Sequence, residues 1–145
     1  MVVRPEVAPL VPVRLRRELA ARLRAALRCL HRSRSRVTLL LTGDEEMREI
    51  NRRYRKLDRA TDVLSFHQQE LSGETDPTGD GVFLGDIVVS VETAIRRASG
   101  RRMSGELARL SVHGLCHIFG HDHHQPVQAR VMRQLEDKLL RASRG

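Results

Sequence analysis

The sequence has few aromatic residues: no tryptophan, one tyrosine and three phenylalanines among 145 residues. Proteins that identify bases in single-stranded nucleic acid stack them on several aromatic side chains. We therefore expect no base-reading platform, so that a nucleic acid partner would be recognised by its shape and charge. Long apolar runs are also missing, since no stretch approaches the roughly 20 residues that cross a bilayer. A transmembrane protein is excluded on that ground.

Cysteine is scarce as well, with only Cys29 and Cys116. Both lie in segments with a helical pattern, and two cysteines form at most one disulfide, so we predict free thiols in a reducing compartment. The first apolar segment, 7–13, is broken by Pro9 and Pro12, and the arginines follow it, whereas the basic region of a secretory signal comes first. We predict a cytoplasmic location.

Lysine is nearly absent, because arginine supplies 24 of the 26 basic residues behind the net charge of +8. The excess lies in the first 36 positions, which hold ten arginines and two acidic residues. Guanidinium groups suit phosphates because they are always charged and bind in a bidentate manner. The excess favours a polyanionic partner such as nucleic acid, although a GC-rich genome would also give an arginine-rich surface without a partner.

Hydrophobic periodicity predicts an α+β fold, a small mixed β-sheet with helices packed on it. The length fits a single domain over residues 1–145. The predicted elements are a helix over 13–31, a strand over 36–42, a helix from 44 to before 58, strands over 61–66 and 82–90, helices over 90–98 and 104–119, and a last helix behind Pro126. Asp44 is the predicted N-cap of the second helix, and a turn-rich loop is predicted over 72–81.

Five of the seven histidines lie between positions 113 and 124. His113 and His117 are one helical turn apart, so their imidazoles project from the same face. Gly120 is expected to end this helix and turn the chain back, bringing up His123 as a third nitrogen ligand. Three ligands leave the fourth tetrahedral position open, as in a catalytic zinc site. We predict one Zn²⁺ ion at His113, His117 and His123, on a helix and turn near the C-terminus.

For the other residues of the histidine-rich segment 113–124, more than one role is possible. Ordinary core or surface histidines are the alternative to ligands, but three converging imidazoles without a cation would be poorly satisfied. Cys116 is either a competing soft ligand or apolar filling. His121 and His124 are weaker candidates, because with His123 they would need opposite projections from a short turn. Asp122 could orient an imidazole or cap the turn.

One rival function follows from the same spacing. The zinc peptidase pattern H-E-x-x-H-x-x-G-x-x-H fits at every position except its glutamate, which here is Gly114. That glutamate is the general base of the peptidase, so its loss weakens this reading. We interpret Gly114 as leaving space beside the metal for a phosphodiester.

Three segments resemble the YbeY family of bacterial ribosomal RNA maturation factors, regarded as metal-dependent endoribonucleases. They are YRKLDRATDVLSF, LGDIVVS and HGLCHIFGHDH, in the family's order across roughly positions 51 to 123. The resemblance implies that His113, His117 and His123 hold the metal, usually taken to be zinc, and that Arg55 is the functional arginine. It also implies single-strand endoribonuclease activity in small-subunit rRNA 3′-end processing and ribosome quality control. The implied partners are ribosomal RNA and the small ribosomal subunit, with no membrane and no small-molecule cofactor.

Physical chemistry agrees with the implied role of Arg55, because a planar fork can bind a phosphate oxygen as charge builds on it. Without the motif, Arg55 would be interpreted as a solvated arginine. Lys56 stands where the family usually has Gly, and Ala60 and His67 stand where it usually has Pro. His67 follows a strand and could reach the cleft as a proton donor.

Three further residues belong to the matched motifs or lie beside Arg55. Tyr54 could stack a base, but its place in the helical stripe favours core packing. Asp62 and Asp86 could orient the cleft, but we expect strand-end turn residues, the more common use. The alternative to an enzyme is a ribosome-assembly factor whose metal only stiffens the C-terminal turn. It predicts a fourth protein ligand, Cys116 or His121.

Overall fold

The structure is a computed structural model that describes residues 1–68, 81–98, 102–119 and 126–144. In these ranges one sheet is formed by β1 (Val2–Val3), β2 (Arg36–Thr42), β3 (Val63–His67) and β4 (Phe83–Ser90). The order across the sheet is β1, β2, β4, β3. Strands β1, β2 and β4 run parallel, and β3 pairs antiparallel with β4. The predicted mixed sheet is therefore confirmed.

Both faces of the sheet are packed because apolar side chains of its central strands point to either side. Leu39 and Leu41 of β2 join one cluster of buried side chains together with Ile87 and Val89 of β4. Val88 faces the other way and packs with Met47 and Phe66. The period of two along a strand separates these two sets.

Helices cover the two faces unequally. Within the described residues they are α1 (Val13–Cys29), α2 (Asp44–Arg55), α3 (Val91–Arg97), α4 (Met103–Phe119) and α5 (Pro126–Arg144). Helices α1, α3, α4 and α5 contribute to the larger cluster, whereas Met47 of α2 packs in the smaller one. The leucines predicted to form the apolar stripe of α1 are buried, except that Leu30 is only partly buried and lies just beyond the helix. The α+β class and its helices are confirmed.

Two details of the predicted elements are wrong. The first helix ends at Cys29, two residues early, and His31 beyond it has a positive φ of 58°. The second helix is capped by Gly43, and Asp44 is its first residue. The short β1 was not predicted. Of the turn-rich loop, residues 72–80 lie outside the described residues, as does Gly120.

Close approach of a neighbouring strand explains the glycine at position 85 of β4. Its φ is 153°, and a Cβ there would lie 2.2 Å from the carbonyl oxygen of Phe66. The register of β2 against β4 shifts beside it, between Arg36 and Val37. A glycine is required because the antiparallel neighbour β3 approaches so closely.

Both thiols are free, as predicted; Cys29 is partly buried and Cys116 is buried. None of the helices in the described ranges is long and apolar enough to cross a membrane.

Candidate functional site

His113 and His117 project from α4 toward one another. Their Nε2 atoms are 3.0 Å apart, and the rings meet edge to face with centroids 4.5 Å apart. Buried residues on the remainder of the helix, such as Leu110, Leu115 and Ile118, fix its orientation on the sheet. The predicted pairing of two imidazoles is thus present. The third predicted ligand, His123, lies outside the described residues, as do His121, Asp122 and His124.

Glu136 of α5 completes this arrangement, and the sequence analysis did not identify it. Its Oε2 is 2.9 Å from His113 Nδ1, and its side chain is 17% exposed. The hydrogen bond with His113 lowers the pKa of Glu136 although burial opposes this. The sequence signal that could have indicated Glu136 was its position directly after Leu135, next to the apolar stripe of the last helix.

The second imidazole favours its neutral form. Desolvation lowers the pKa of His117, and the neighbouring His113 lowers it further, against a smaller effect of Glu136. Neutral imidazole is the form that binds a metal ion. The lowered pKa of His117 therefore favours its metal-binding form near neutral pH.

Arg55 lies in the same cleft as the histidines. One guanidinium nitrogen donates to the carbonyl oxygen of Ser65 at 2.8 Å, and Cζ lies 4.7 Å from the centroid of the Phe66 ring. The cleft has a volume of about 180 Å³ and is lined by Arg55, Val63, Leu64, Ser65, His113, Gly114 and His117. Because α2 ends at Arg55, its last side chain reaches the edge strand β3. The structure therefore places Arg55 across this cleft from α4.

Gly114 is explained by packing. A Cβ at this position would lie 2.6 Å from Cγ2 of Ile87 and 3.4 Å from Cγ2 of Val63. The glycine lets α4 approach the sheet closely, and it also lines the cleft beside His113 and His117. Packing thus explains the glycine, and the interpretation that it leaves space for a phosphodiester stays a prediction. Gly114 has no side chain that could act as the peptidase base, and a Cβ at this position would crowd Ile87.

Cys116 does not belong to the cleft. It is fully buried among apolar side chains, and burial raises the pKa of its thiol to about 12. A metal ligand must be a thiolate, so the apolar interpretation holds for Cys116.

The structure also settles the placement of four motif residues. Tyr54 is 52% exposed and meets the Phe66 ring edge-on, so the prediction that it packs in the core is wrong. His67 is 6% exposed, and the residues lining the cleft do not include it. Asp62 accepts the Val63 N–H at the start of β3, in keeping with a turn role.

Asp86, in contrast, lies within β4 and not at a strand end. It lines a separate pocket of about 530 Å³ on the α2 side of the sheet, together with Arg4 and Tyr54. Burial raises the pKa of Asp86 despite a hydrogen bond from Thr38. The turn role expected for Asp86 is therefore wrong.

The histidine pair has the chemistry of a zinc site. Zinc–nitrogen bonds of about 2.0–2.1 Å in tetrahedral geometry place two ligand nitrogens about 3.3 Å apart. The observed Nε2 separation of 3.0 Å requires only a small adjustment. Within the described ranges, no three His, Cys, Asp or Glu side chains form a group that could hold a metal. The pair is thus a partial ligand set that fits zinc.

Comparison with known proteins decides the family. A family model described as "Endoribonuclease YbeY" matches residues 12–144. This chain belongs to the YbeY family. The Endoribonuclease YbeY of Anaeromyxobacter dehalogenans is 44% identical over 131 residues, covering 89% of this chain and 65% of that protein. The YbeY protein of Heliobacterium modesticaldum is 46% identical over 113 residues, covering 72% of this chain and 68% of that protein.

The chain is shorter than these relatives, and its fold is similar to that of a solved structure. The chain spans just under two thirds of the A. dehalogenans protein and 64% of a second relative, from Anaeromyxobacter sp. strain Fw109-5. The solution structure of TM1509 from Thermotoga maritima superposes with a TM-score of 0.63 at 24% identity, covering 90% of this chain and 81% of that one. The fold described above is therefore shared with a solved structure.

Proposed function

We propose that this chain is a metal-dependent endoribonuclease that cleaves single-stranded RNA. The observation that carries the proposal is the meeting of Arg55 from α2 with His113 and His117 from α4 in one cleft. An always-charged fork opposite a zinc-binding pair is an arrangement suited to the charge of a phosphodiester undergoing cleavage. The names of the relatives, all called Endoribonuclease YbeY, support this chemistry.

The chain's own groups have distinct tasks in this mechanism. Arg55 is held against β3 by the Ser65 carbonyl and the Phe66 face, so its charge is positioned before substrate arrives. It would stabilise negative charge on a non-bridging oxygen in the transition state. His113, His117 and the predicted third ligand His123 would hold one zinc ion, which as a Lewis acid would activate the phosphodiester or its nucleophile.

The proposal extends to a specific substrate and a cellular role. We propose ribosomal RNA as the substrate, cut during maturation of the 3′ end of the small-subunit RNA, with the small ribosomal subunit as partner and the cytoplasm as location. The family membership and the excess of arginine over acidic residues in the first 36 positions support this assignment. The zinc peptidase loses support because Gly114 stands in place of the pattern's glutamate and a Cβ there would crowd Ile87. The metal-stiffened assembly factor loses one of its two expected ligands, because Cys116 is buried.

Metal analysis combined with RNA cleavage tests the proposal. We expect His113→Ala to lose zinc and activity together, because two imidazoles bind zinc weakly. Arg55→Ala should retain zinc and the fold but lose about 10²–10³ in turnover, as expected when one donor to the transition-state charge is removed. Arg52→Ala is the matched control, since Arg52 lies on the same helix and pairs with Glu49. The measurements are zinc content, thermal unfolding and single-turnover cleavage of a labelled single-stranded RNA.

Three results would contradict the proposal. Full zinc content and full activity in His113→Ala would remove the ligand assignment. Equal turnover in Arg55→Ala and Arg52→Ala would show that Arg55 is a solvated surface arginine without a role in cleavage. Absence of cleavage by rigorously purified wild type, with chelation unfolding the chain, would favour the assembly factor.

A further inference from the structure

We propose that Glu136 is a positioning residue that fixes the tautomer of His113, so that His113 presents an unprotonated Nε2 to the metal. This inference rests on the proposed zinc site. The observation behind it is the 2.9 Å contact between Glu136 Oε2 and His113 Nδ1.

Hydrogen-bond chemistry assigns the proton. A neutral imidazole has one N–H donor and one acceptor nitrogen, and a carboxylate only accepts. Because Glu136 is within hydrogen-bond distance of Nδ1, that nitrogen carries the proton and Nε2 keeps its lone pair. In the metal-free protein, the 3.0 Å contact between the two Nε2 atoms then needs a donor, which is the Nε2–H of His117; this proton must leave Nε2 when His117 binds a metal ion. The result is a directed chain from His117 through His113 to Glu136.

The surroundings hold Glu136 in place. Its side chain is 17% exposed, whereas the His113 side chain is 37% exposed. The neighbours of Glu136 on α5, Met132, Leu135 and Leu140, pack against the main core cluster. A carboxylate anchored by a packed helix fixes ring orientation as well as tautomer, and removal of such an outer partner typically weakens metal binding about 10–100-fold.

Glu136 cannot serve instead as the missing peptidase base. It contacts the Nδ1 edge of His113, and the Nε2 edge of the same ring faces His117. Any group bound at Nε2 lies beyond the imidazole as seen from Glu136. Glu136 therefore acts through His113 and does not touch the reacting atoms.

Zinc affinity provides the first test. The dissociation constant for Zn²⁺ alone is measured by competition with a chromophoric chelator for wild type, Glu136→Ala, Glu136→Gln and Asp137→Asn. We expect affinity to fall about 10–100-fold in Glu136→Ala. Glu136→Gln keeps a carbonyl acceptor and should lose less, and Asp137→Asn, on the exposed next residue, should match wild type. Thermal unfolding of each metal-free variant shows whether the fold persists.

The tautomer of His113 provides the second test, which uses wild-type protein and so does not depend on whether a variant folds. Long-range ¹⁵N–¹H NMR spectra of metal-free wild type at pH 8 report which imidazole nitrogen of each histidine carries hydrogen. We expect hydrogen on Nδ1 and none on Nε2 of His113, with hydrogen on Nε2 of His117. Hydrogen on Nε2 of His113 would overturn the inference, whatever the variants do.

The outcomes separate this inference from the proposed function. If His113→Ala loses zinc while Glu136→Ala binds it as tightly as wild type, the zinc site stands and the role of Glu136 is wrong. If wild type binds no zinc, both fail. If Glu136→Gln restores most of the affinity lost in Glu136→Ala, the accepting oxygen is the operative feature, as proposed.

Discussion

Lys56 carries a local strain that a single substitution should relieve. It is the C-cap of α2 with φ 61° and ψ 28°, and its N–H bonds the carbonyl of Asn51. A left-handed conformation costs a residue with a Cβ roughly 1–2 kcal/mol, and glycine adopts it freely. The backbone at position 56 therefore favours a glycine over a lysine.

We therefore expect Lys56→Gly to raise the free energy of unfolding by about 1 kcal/mol, measured by urea denaturation. Lys56→Ala is the control, because alanine removes the charge and keeps the Cβ. Equal stabilisation by both variants would assign the gain to the side chain and contradict the backbone explanation.

At the level of single residues, sequence reasoning found part of the candidate site. The four-residue spacing of His113 and His117 follows from helix geometry, so their shared face was predictable. Arg55 was indicated by the family resemblance alone, because its contacts with Ser65 and the Phe66 ring join separate elements. Glu136 was missed because its partner His113 is 23 positions away and the packing of α5 on α4 has no local signal.

At the level of elements, the closest approach of α4 to the sheet depends on Gly114. A Cβ there would meet Ile87 Cγ2 at 2.6 Å, and both residues are buried. Overpacking a core costs about 1–3 kcal/mol, so we expect Gly114→Ala to destabilise the fold by this amount in chemical denaturation. The loss should appear also in metal-free protein, since it arises from helix–sheet packing.

A double-mutant cycle identifies the atom responsible. Ile87→Ala removes the crowded Cγ2 and by itself leaves a cavity that costs about 2–5 kcal/mol. In this background, Gly114→Ala should cost less than in wild type, with a coupling of 0.5 kcal/mol or more, on the order expected for contacting residues. Strict additivity would show that the two side chains do not compete for the same space.

Helices α2 and α3 are joined by the carboxylate of Asp44. Its Oδ1 accepts hydrogen bonds from Ser90 Oγ and Thr93 Oγ1, each at 2.6 Å, and Arg96 pairs with Oδ2 at 2.7 Å. Burial would raise the pKa of Asp44, but the hydrogen bonds from Ser90, Thr93 and Arg96, with the charge of Arg96, outweigh it, and the pKa is lowered. The ionised form is thus preferred in the folded state.

The lowered pKa of Asp44 makes its contribution pH-dependent. Stability from this carboxylate is present above the unfolded pKa of about 3.9 and is lost as pH falls through the lower folded value. Asp44→Asn should reduce the free energy of unfolding by about 1–3 kcal/mol at pH 7, and this difference should shrink below pH 4. Asp58→Asn is the control: Asp58 pairs with Arg48 but both are well exposed, so its effect should be small. A deficit unchanged down to pH 2 would contradict this assignment.

The elements show what a sequence can predict. The strand over 36–42 was predicted with the bounds of β2, because seven largely apolar and β-branched residues end at Gly43. Strand β1 has two residues, Val2 and Val3, too few for any periodicity. Its parallel pairing with Leu40 and Leu41 is a long-range contact that a local pattern does not encode.

At the level of the whole molecule, the positive charge is unevenly compensated. Arg48 pairs with Asp58, and Arg52 pairs with Glu49. Exposed arginines of α1, among them Arg17 and Arg24, form no ion pair within the described part of the chain. Uncompensated guanidinium groups on one helix are the arginines expected to displace counterions from an RNA backbone.

Matched double variants test whether α1 binds RNA. Each phosphate contact to a single strand contributes about 0.7 to the slope of log affinity against log salt concentration. We expect Arg17→Gln/Arg24→Gln to lower that slope by about 1.4, while cleavage at saturating RNA stays near wild type. Arg48→Gln/Arg52→Gln removes the same formal charge from arginines already paired with acids, so its slope should change less. Affinity would be measured by fluorescence anisotropy from roughly 50 to 300 mM salt, with Arg55→Ala in every variant so that cleavage during the measurement is slow. Equal slopes for the two double variants would show that α1 holds no privileged contact with RNA and that the excess arginine of the first 36 residues is a solvated surface.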